Sequence, residues 1–105
     1  MNYKEFKKHF KIFTGKQKKL LASKGNDYAD KDMLQNFKQV GYITNLKPEV
    51  IALVLIGVKV ARLGNLLNGN LQNGKQPKNE SVKDSVMDLC NYGFLMDCIL
   101  EEKSI

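Results

Sequence analysis

The stretch Glu80-Ser-Val-Lys-Asp84-Ser-Val-Met-Asp88-Leu-Cys-Asn91-Tyr92 spaces its acids and its amide with the period of an α-helix. Glu80, Asp84, Asp88 and Asn91 stand at i, i+4, i+8 and i+11, so they share a stripe roughly 80° wide. Carboxylates on one helix face repel one another. A divalent metal, or Lys and Arg from a facing helix, would offset that repulsion. The stripe therefore predicts a helix with a candidate polar site.

A second interpretation of the same residues needs no ligand. Ser81 and Asp84 fit a capping box at a helix N-terminus, and the helix dipole favours acids in a first turn. Asp88 lies too far along the helix for that explanation. The stripe then continues into Leu95 and Cys98, which suggests a half-buried face. The residues alone leave both interpretations open.

Apolar residues recur with helical period along the rest of the chain. They predict four helices, at about Tyr3–Ser23, Asp30–Tyr42, Pro48–Asn68 and Asn79–Glu102. Gly15 weakens the first helix and is expected to kink or split it. The turn-forming residues of 24–30 predict a loop, and residues 68–78 form a long polar connection.

The fold class predicted from these elements is all-α. The chain has 105 residues, which suits a single domain, and no stretch alternates with the period of a strand. We expect one four-helix bundle over residues 1–105. The third helix is apolar nearly all round up to Lys59, which is typical of a helix buried on most sides. The chain is too short to cover it, so we expect a homo-oligomer, a dimer or a tetramer.

The net charge of +6 belongs to the N-terminal segment. Residues 1–31 contain nine lysines and three acids, whereas the remainder has eight basic and eight acidic residues. Such a segment attracts the phosphates of nucleic acids or nucleotides, or is simply a solvated lysine face. The helix lacks a helix-turn-helix pattern and interleaved exposed aromatics. A small nucleic-acid-binding protein is therefore the last of the functions that we consider.

The location suggested by the sequence is the cytoplasm. Cys90 and Cys98 are separated by roughly 12 Å along one helix, too far for a disulfide. The lysine-rich N-terminus does not resemble a signal peptide. The longest apolar run, Val50–Val58, is too short to cross a bilayer, so no membrane partner is expected.

Two cations at the polar end of the third helix are candidate phosphate ligands. Lys59 and Arg62 lie about 60° apart on the helix, and the planar fork of arginine donates hydrogen bonds in pairs. The alternative is that they pair with the acidic stripe across the bundle. Tyr28, in the predicted loop, offers a ring on which a base could stack, or it covers the end of the core.

Taken in order, four motifs resemble a known family. They are Lys24-Gly-Asn-Asp27-Tyr28-Ala, Leu34-Gln-Asn36-Phe37, Lys59-Val-Ala-Arg62-Leu63-Gly-Asn-Leu-Leu67 and the Glu80–Tyr92 stretch. Together they resemble small phage and prophage nucleotide-modification-associated proteins. Those are similar to the all-α, MazG-like and dimeric dUTPase-like nucleoside triphosphate pyrophosphatases. The resemblance implies a cytoplasmic protein of an infected or lysogenic bacterial host.

The resemblance implies roles for particular residues. Glu80 and Asp84 would be catalytic and would hold Mg²⁺, with Asp88 as support or third ligand. The nucleotide would lie against the remaining motif residues, Lys24, Asp27, Tyr28, Asn36, Lys59, Arg62 and Asn91. Water would attack phosphorus and release pyrophosphate and a monophosphate.

One family motif is absent from this chain. Where the family has an E-x-x-E pair on the third helix, this sequence has Lys59-Val-Ala-Arg62. We therefore predict a protein that binds a nucleotide or nucleotide-derived molecule, with Mg²⁺-dependent hydrolysis as one form of that function. The alternative is a non-catalytic binder that sequesters a signalling nucleotide.

Overall fold

The part of the chain that the structure describes forms four α-helices and one short π-helical segment. The computed structural model describes the backbone of residues 1–27, 32–69 and 79–104, and the side chains of residues 1–23, 32–68 and 81–103. The elements are α1 (Tyr3–Asp27), α2 (Gln35–Thr44), α3 (Pro48–Gly64), the π-helical segment Asn65–Gly69 and α4 (Asn79–Ser104). No strand occurs in these ranges, so the predicted all-α class is confirmed for them. The chain divides into two compact units, Met1–Met33 and Leu34–Ile105.

The first unit contains α1, a lysine-rich helix. Asn2 caps it, because its Oδ1 accepts a hydrogen bond of 2.9 Å from the backbone N–H of Glu5. The helix runs unbroken through Gly15, so it is not split there. It also continues to Asp27 instead of ending at Ser23. Each residue added to an existing helix gains a hydrogen bond, which offsets the weak preference of Gly, Asn and Asp for turns.

The start of α2 also differs from the prediction. α2 begins at Gln35, not at Asp30, and Leu34 precedes it with φ −101° and ψ 9°. Leu34 is only 5% exposed. Its burial in the core fixes the chain outside the helical conformation, although the apolar period of the sequence runs on through it. The helix ends where Asn45 adopts the left-handed conformation, with φ 59°.

The turn from α2 into α3 is tight. The backbone N–H of Leu46 donates to the carbonyl oxygen of Gly41 over 2.9 Å. The next helix begins at once, because Pro48 occupies its first turn, where its missing N–H costs nothing. The predicted start of α3 at Pro48 is confirmed.

The core of the second unit lies where α3 packs against α2 and α4. Its buried side chains are Leu34, directly before α2, and Phe37, Ile51, Ala52 and Ile99 from the three helices. Tyr92 and Leu95 of α4 pack against this cluster. This cluster lies at the start of α3 and the end of α4, and the N-terminal half of α4 holds both the buried Met87 and buried polar side chains.

Two ion pairs tie the helices together beside the core. Lys38 of α2 pairs with Glu102 of α4, and Lys103 of α4 pairs with Glu49 of α3. Glu49 is the more enclosed, since its side chain is 16% exposed. The hydrogen bond from Lys103 holds the pKa of Glu49 below its ordinary value of 4.5.

Acidification is expected to remove the contribution of Glu49 to stability. Because the folded-state pKa is lowered, that contribution is complete above the unfolded-state pKa and is lost as the pH falls through the folded value. Urea unfolding from pH 7 to pH 3 should therefore show Glu49→Gln less stable than the unsubstituted protein at pH 7, with the difference closing in acid. Glu101→Gln, at an exposed position of α4, is the control. A difference that stays constant with pH would contradict this account.

One side of α3 is not covered within the second unit. Leu53, Val54, Val58 and Val60 are all more than half exposed. The sequence predicted burial on most sides, and α2 and α4 cover only one. Among the described residues, Pro48–Asn68 is also the one helix whose length and composition would allow it to cross a membrane. Apolar residues on both sides of Lys59 and Arg62 make the segment longer than the run Val50–Val58 suggested.

Candidate functional site

The candidate site lies between the C-terminal half of α3 and the N-terminal half of α4. Lys59 and Arg62 are three residues apart on α3, and Ser85 and Asp88 are three residues apart on α4. The contacts join Lys59 to Asp88 and Arg62 to Ser85. The residue number increases by three from Lys59 to Arg62 on α3, whereas that of the partner decreases by three from Asp88 to Ser85 on α4. The two antiparallel helices thus present matching i, i+3 pairs on facing sides.

Arg62 is anchored at one nitrogen and open at the others. Its Nε donates a hydrogen bond of 3.2 Å to the hydroxyl oxygen of Ser85, which is 2% exposed. The arginine itself is exposed. In the described part of the chain, its two terminal nitrogens have no hydrogen-bond partner. The fork of the guanidinium is thereby oriented and remains free to donate to an anion, in the geometry that suits phosphate.

Lys59 lies beside it in an ion pair. Its Nζ is 3.0 Å from Oδ2 of Asp88, and the two side chains are 24% and 44% exposed. The pairing of cations with the acidic stripe, which the sequence left open, therefore occurs for Lys59. An ammonium group has three N–H donors, so Lys59 can donate to a ligand as well as to the carboxylate of Asp88. Lys59, Arg62 and Asp88 together carry a net charge of +1, which favours an anionic ligand.

Asn91 follows Asp88 by one turn of α4 and is buried, with 6% exposure. Its Oδ1 is enclosed and receives no hydrogen bond from the described residues. An unpaired buried acceptor costs about 1–3 kcal/mol. Such groups are rare in folded proteins and often have a functional explanation. This supports Asn91 as a candidate position of the site.

The backbone changes its winding directly after Arg62. The backbone N–H of Asn65 donates to the carbonyl oxygens of both Ala61 and Arg62, and Asn65–Gly69 is π-helical. This segment contacts both α3 and α4. Single π-turns within α-helices are frequent at functional sites. The irregular turn therefore marks the same end of α3 as the two cations.

The remaining predicted site residues are exposed or are not described. Asp84 is exposed on α4, and Asn36 is exposed in the first turn of α2. Four predicted positions lie outside the described residues, either entirely or in their side chains: Lys24, Asp27, Tyr28 and Glu80. The proposed loop over residues 68–78 is described only up to Gly69.

The capping-box interpretation of the acidic stripe is not supported. Ser81 lies inside α4, which includes Asn79 and Glu80 before it. A residue within the helix cannot act as its N-cap. Asp84 and Asp88 are therefore not explained as acids in the first turn of a helix. Asp88 is explained by its ion pair with Lys59 of α3.

The described carboxylates do not by themselves suit Mg²⁺. No group of three His, Cys, Asp or Glu residues in the described ranges could hold a metal ion. Asp88 is already paired with Lys59, and a cation at that distance competes with a metal for the same oxygen. Mg²⁺ prefers several oxygen ligands in an octahedral arrangement. Lys59, Arg62 and Asp88 together therefore suit an anion better than a metal ion.

Ser85 is the residue of the candidate site that the sequence interpretation missed. It stands between two carboxylates of the stripe, and its hydroxyl orients Arg62. A signal for it existed, because Lys59 and Arg62 are spaced i, i+3 and so are Ser85 and Asp88. That match becomes informative only once α3 and α4 are known to face each other in antiparallel register.

Compared with known protein families, with curated proteins and with solved structures, the chain has no significant match.

Proposed function

We propose that this protein binds a nucleotide or nucleotide-derived molecule through its phosphates, at the site formed by Lys59, Arg62 and Ser85. The observation that carries the proposal is the anchored guanidinium of Arg62. Its Nε is held by a buried hydroxyl, and its terminal nitrogens have no partner among the described residues. Lys59 adds a second cation beside it.

Binding without metal is the form of this function that the described residues support best. Asp88 neutralises part of the charge of Lys59 before a ligand arrives. An incoming phosphate would compete with Asp88 for the ammonium and take both donors of the Arg62 fork. Such an exchange of anions requires no divalent ion. A protein working in this way would sequester its ligand without altering it.

Hydrolysis with Mg²⁺, as in the MazG-like pyrophosphatases that the sequence resembles, is the second candidate. The ordered motifs and the exposed Asp84 favour it. Glu80 and Asp84 would be its catalytic residues, with Asn91, Asn36 and the residues around Tyr28 near the nucleotide. A four-helix bundle of the MazG-like type in the cytoplasm of a phage-infected cell belongs to this proposal.

A nucleic-acid-binding role rests on α1. Its exposed lysines and aromatic residues favour it, with the ring of Tyr3 stacked on Phe6 at 6.5 Å and Lys7 Nζ 5.4 Å from the centre of the Tyr3 ring. Lys7 and Tyr3 share one side of the helix, whereas Lys4, Lys8 and Lys19 lie roughly 100–160° around it from Tyr3. A stacking platform needs lysines and aromatic rings along one face, so this candidate stays last.

Thermal unfolding against a panel of nucleotides, in EDTA and in Mg²⁺, tests the proposal. A ligand at a hundredfold excess over its Kd stabilises the folded state by about 2.7 kcal/mol. For a domain of this size that raises Tm by about 10 °C or more. We expect the shift in EDTA for at least one nucleotide. A shift that requires Mg²⁺ would favour the pyrophosphatase instead, and no shift with any nucleotide would contradict both.

A further inference from the structure

The helix α1 has an apolar side and a lysine side. Large apolar residues lie within an arc of roughly 100° around the helix, and we call them the apolar side of α1: Tyr3, Phe6, Phe10, Phe13, Leu20 and Leu21. Six lysines lie within an arc of roughly 120°, and we call them the lysine side: Lys4, Lys7, Lys8, Lys11, Lys18 and Lys19. The centres of the two arcs are roughly 150° apart. We propose that α1 lies flat on a membrane surface that contains anionic lipids, with its apolar side towards the acyl chains.

The apolar side of α1 is open to such a surface. Tyr3, Phe6, Phe10 and Leu20 are 74%, 55%, 61% and 41% exposed. Phenylalanine and leucine on one face, with lysine on the other, are typical of helices that lie in the membrane interface. Tyr3 suits the same boundary, because its ring is apolar and its hydroxyl is polar. Lys7, whose Nζ is 5.4 Å from the centre of the Tyr3 ring, can keep its stem beside the rings while its ammonium reaches lipid phosphates.

The charge of α1 matches an anionic surface. Residues 1–23, whose side chains the structure describes, contain seven lysines and one acid, Glu5. A lysine close to an anionic membrane surface raises the affinity about fivefold. Because lysines recur along the whole helix, α1 is suited to lie in the plane of a bilayer and not to cross it. The sequence predicted no membrane partner because no apolar run was long enough to span a bilayer, but a helix on the surface needs no span.

Other kinds of partner would use only one side of α1. A nucleic acid would contact the lysine side and leave the exposed phenylalanines in water. An apolar groove on a protein would cover the phenylalanines and leave most of the lysines on the far side. A helix in the membrane interface is buried by about 5–10 Å, so its apolar side meets acyl chains while its long lysine side chains can reach headgroup phosphates. An anionic membrane is therefore the partner that uses both sides.

Membrane binding does not depend on the proposed ligand site. The residues of α1 that carry it belong to the first compact unit, whereas Lys59, Arg62 and Ser85 belong to the second. No residue contributes to both. The two proposals can fail independently, because one predicts binding to vesicles and the other predicts an affinity for nucleotides.

Tryptophan fluorescence of the full chain tests the orientation of α1. The chain has no tryptophan, so a single introduced one reports its own surroundings. Phe10→Trp lies on the apolar side, and Ile12→Trp lies roughly 160° around the helix from it. With vesicles of phosphatidylcholine and phosphatidylserine, the emission of Phe10→Trp should shift to shorter wavelength, and that of Ile12→Trp should change little. Vesicles of phosphatidylcholine alone should give a much smaller shift for Phe10→Trp.

Co-sedimentation with the same vesicles measures the affinity. Phe10→Glu and Ile12→Glu add the same charge to α1, at residues that are 61% and 59% exposed, but only Phe10 belongs to the apolar side. Loss of a buried phenylalanine should weaken the binding of Phe10→Glu about 10- to 100-fold more than that of Ile12→Glu. Val58→Glu, on the exposed side of α3, should bind like the unsubstituted protein. If circular dichroism shows that Phe10→Glu does not fold, Phe10→Ser should give a loss in the same direction.

Four results would overturn the inference. The first is no binding to the vesicles that contain phosphatidylserine. The second is equal binding to phosphatidylcholine alone, which would remove the role of the lysines. The third is an equal loss in Phe10→Glu and Ile12→Glu, as expected if α1 binds double-stranded DNA through its lysines alone. The fourth is binding that is lost in Val58→Glu and kept in Phe10→Glu, which would place α3 on the membrane.

Discussion

Replacing Arg62 by alanine is expected to weaken nucleotide binding about 10- to 100-fold, which corresponds to about 1.4–2.8 kcal/mol. A guanidinium fork donates two hydrogen bonds to a phosphate, and a hydrogen bond to a charged group contributes about 1.5–3 kcal/mol. Arg62 is exposed, so solvent screens part of that contribution. Isothermal titration calorimetry with the nucleotide that gives the largest thermal shift measures the effect directly.

Three further variants separate the causes of that loss. Lys83→Ala removes an exposed cation on the outer side of α4 and should leave the affinity unchanged. Arg62→Lys keeps the charge but loses the fork, so we expect an intermediate affinity. Ser85→Ala keeps the charge and removes the anchor at Nε, and it should lower the affinity several-fold without loss of fold. Equal affinities for Arg62→Ala and the unsubstituted protein would exclude this site.

The second large effect concerns Gly41, where we expect alanine to destabilise the protein by about 1–3 kcal/mol. Gly41 is buried at the end of α2, and a Cβ there would come within 2.6 Å of the carbonyl oxygen of Leu46. That oxygen belongs to the backbone of the turn into α3 and has no side-chain freedom. The turn must open, and the hydrogen bond from Leu46 to Gly41 would weaken. Urea unfolding monitored by circular dichroism checks the prediction.

Gly93→Ala is the matched control and should have the opposite sign. Gly93 lies within α4, and a Cβ there meets no atom within 4 Å. Alanine in a helix interior is more stable than glycine by about 0.5–1 kcal/mol. Gly41→Ala should therefore lower the urea midpoint, and Gly93→Ala should raise it. If both variants were stabilised, the close approach at Gly41 would be wrong.

The sequence predicted the helices well where local chemistry determines them. Pro48 marks the start of α3 through its fixed backbone and missing N–H, and the 3.6-residue period identifies α4. Where packing between helices sets the end of a helix, the prediction from sequence was wrong. Leu34 fits the period of α2 but is held outside it by burial in the core. The turn-forming residues after Ser23 continue α1, because helix propagation outweighs their local preferences.

The candidate site was predictable in part. The spacing of Lys59 and Arg62 marked them as candidates, and the acidic stripe indicated partners for them. Ser85 was missed because its role depends on the register between α3 and α4, which tertiary packing sets. The exposed apolar side of α3 was also unpredicted, because it too depends on tertiary packing. Sequence shows that the helix is apolar all round, and only the packing of α2 and α4 shows which side is left uncovered.

In the proposed function, the Arg62 guanidinium holds the phosphates of a ligand. Arg62 is the only arginine in the chain, so uniform ¹⁵N labelling gives one arginine Nε–H signal that needs no assignment. Titration with the nucleotide that stabilises the protein in EDTA should shift this signal, and the shift should saturate at the Kd measured by calorimetry. The signal of Arg62→Lys should be absent. A Nε–H signal that stays unchanged while calorimetry shows saturated binding would contradict the account.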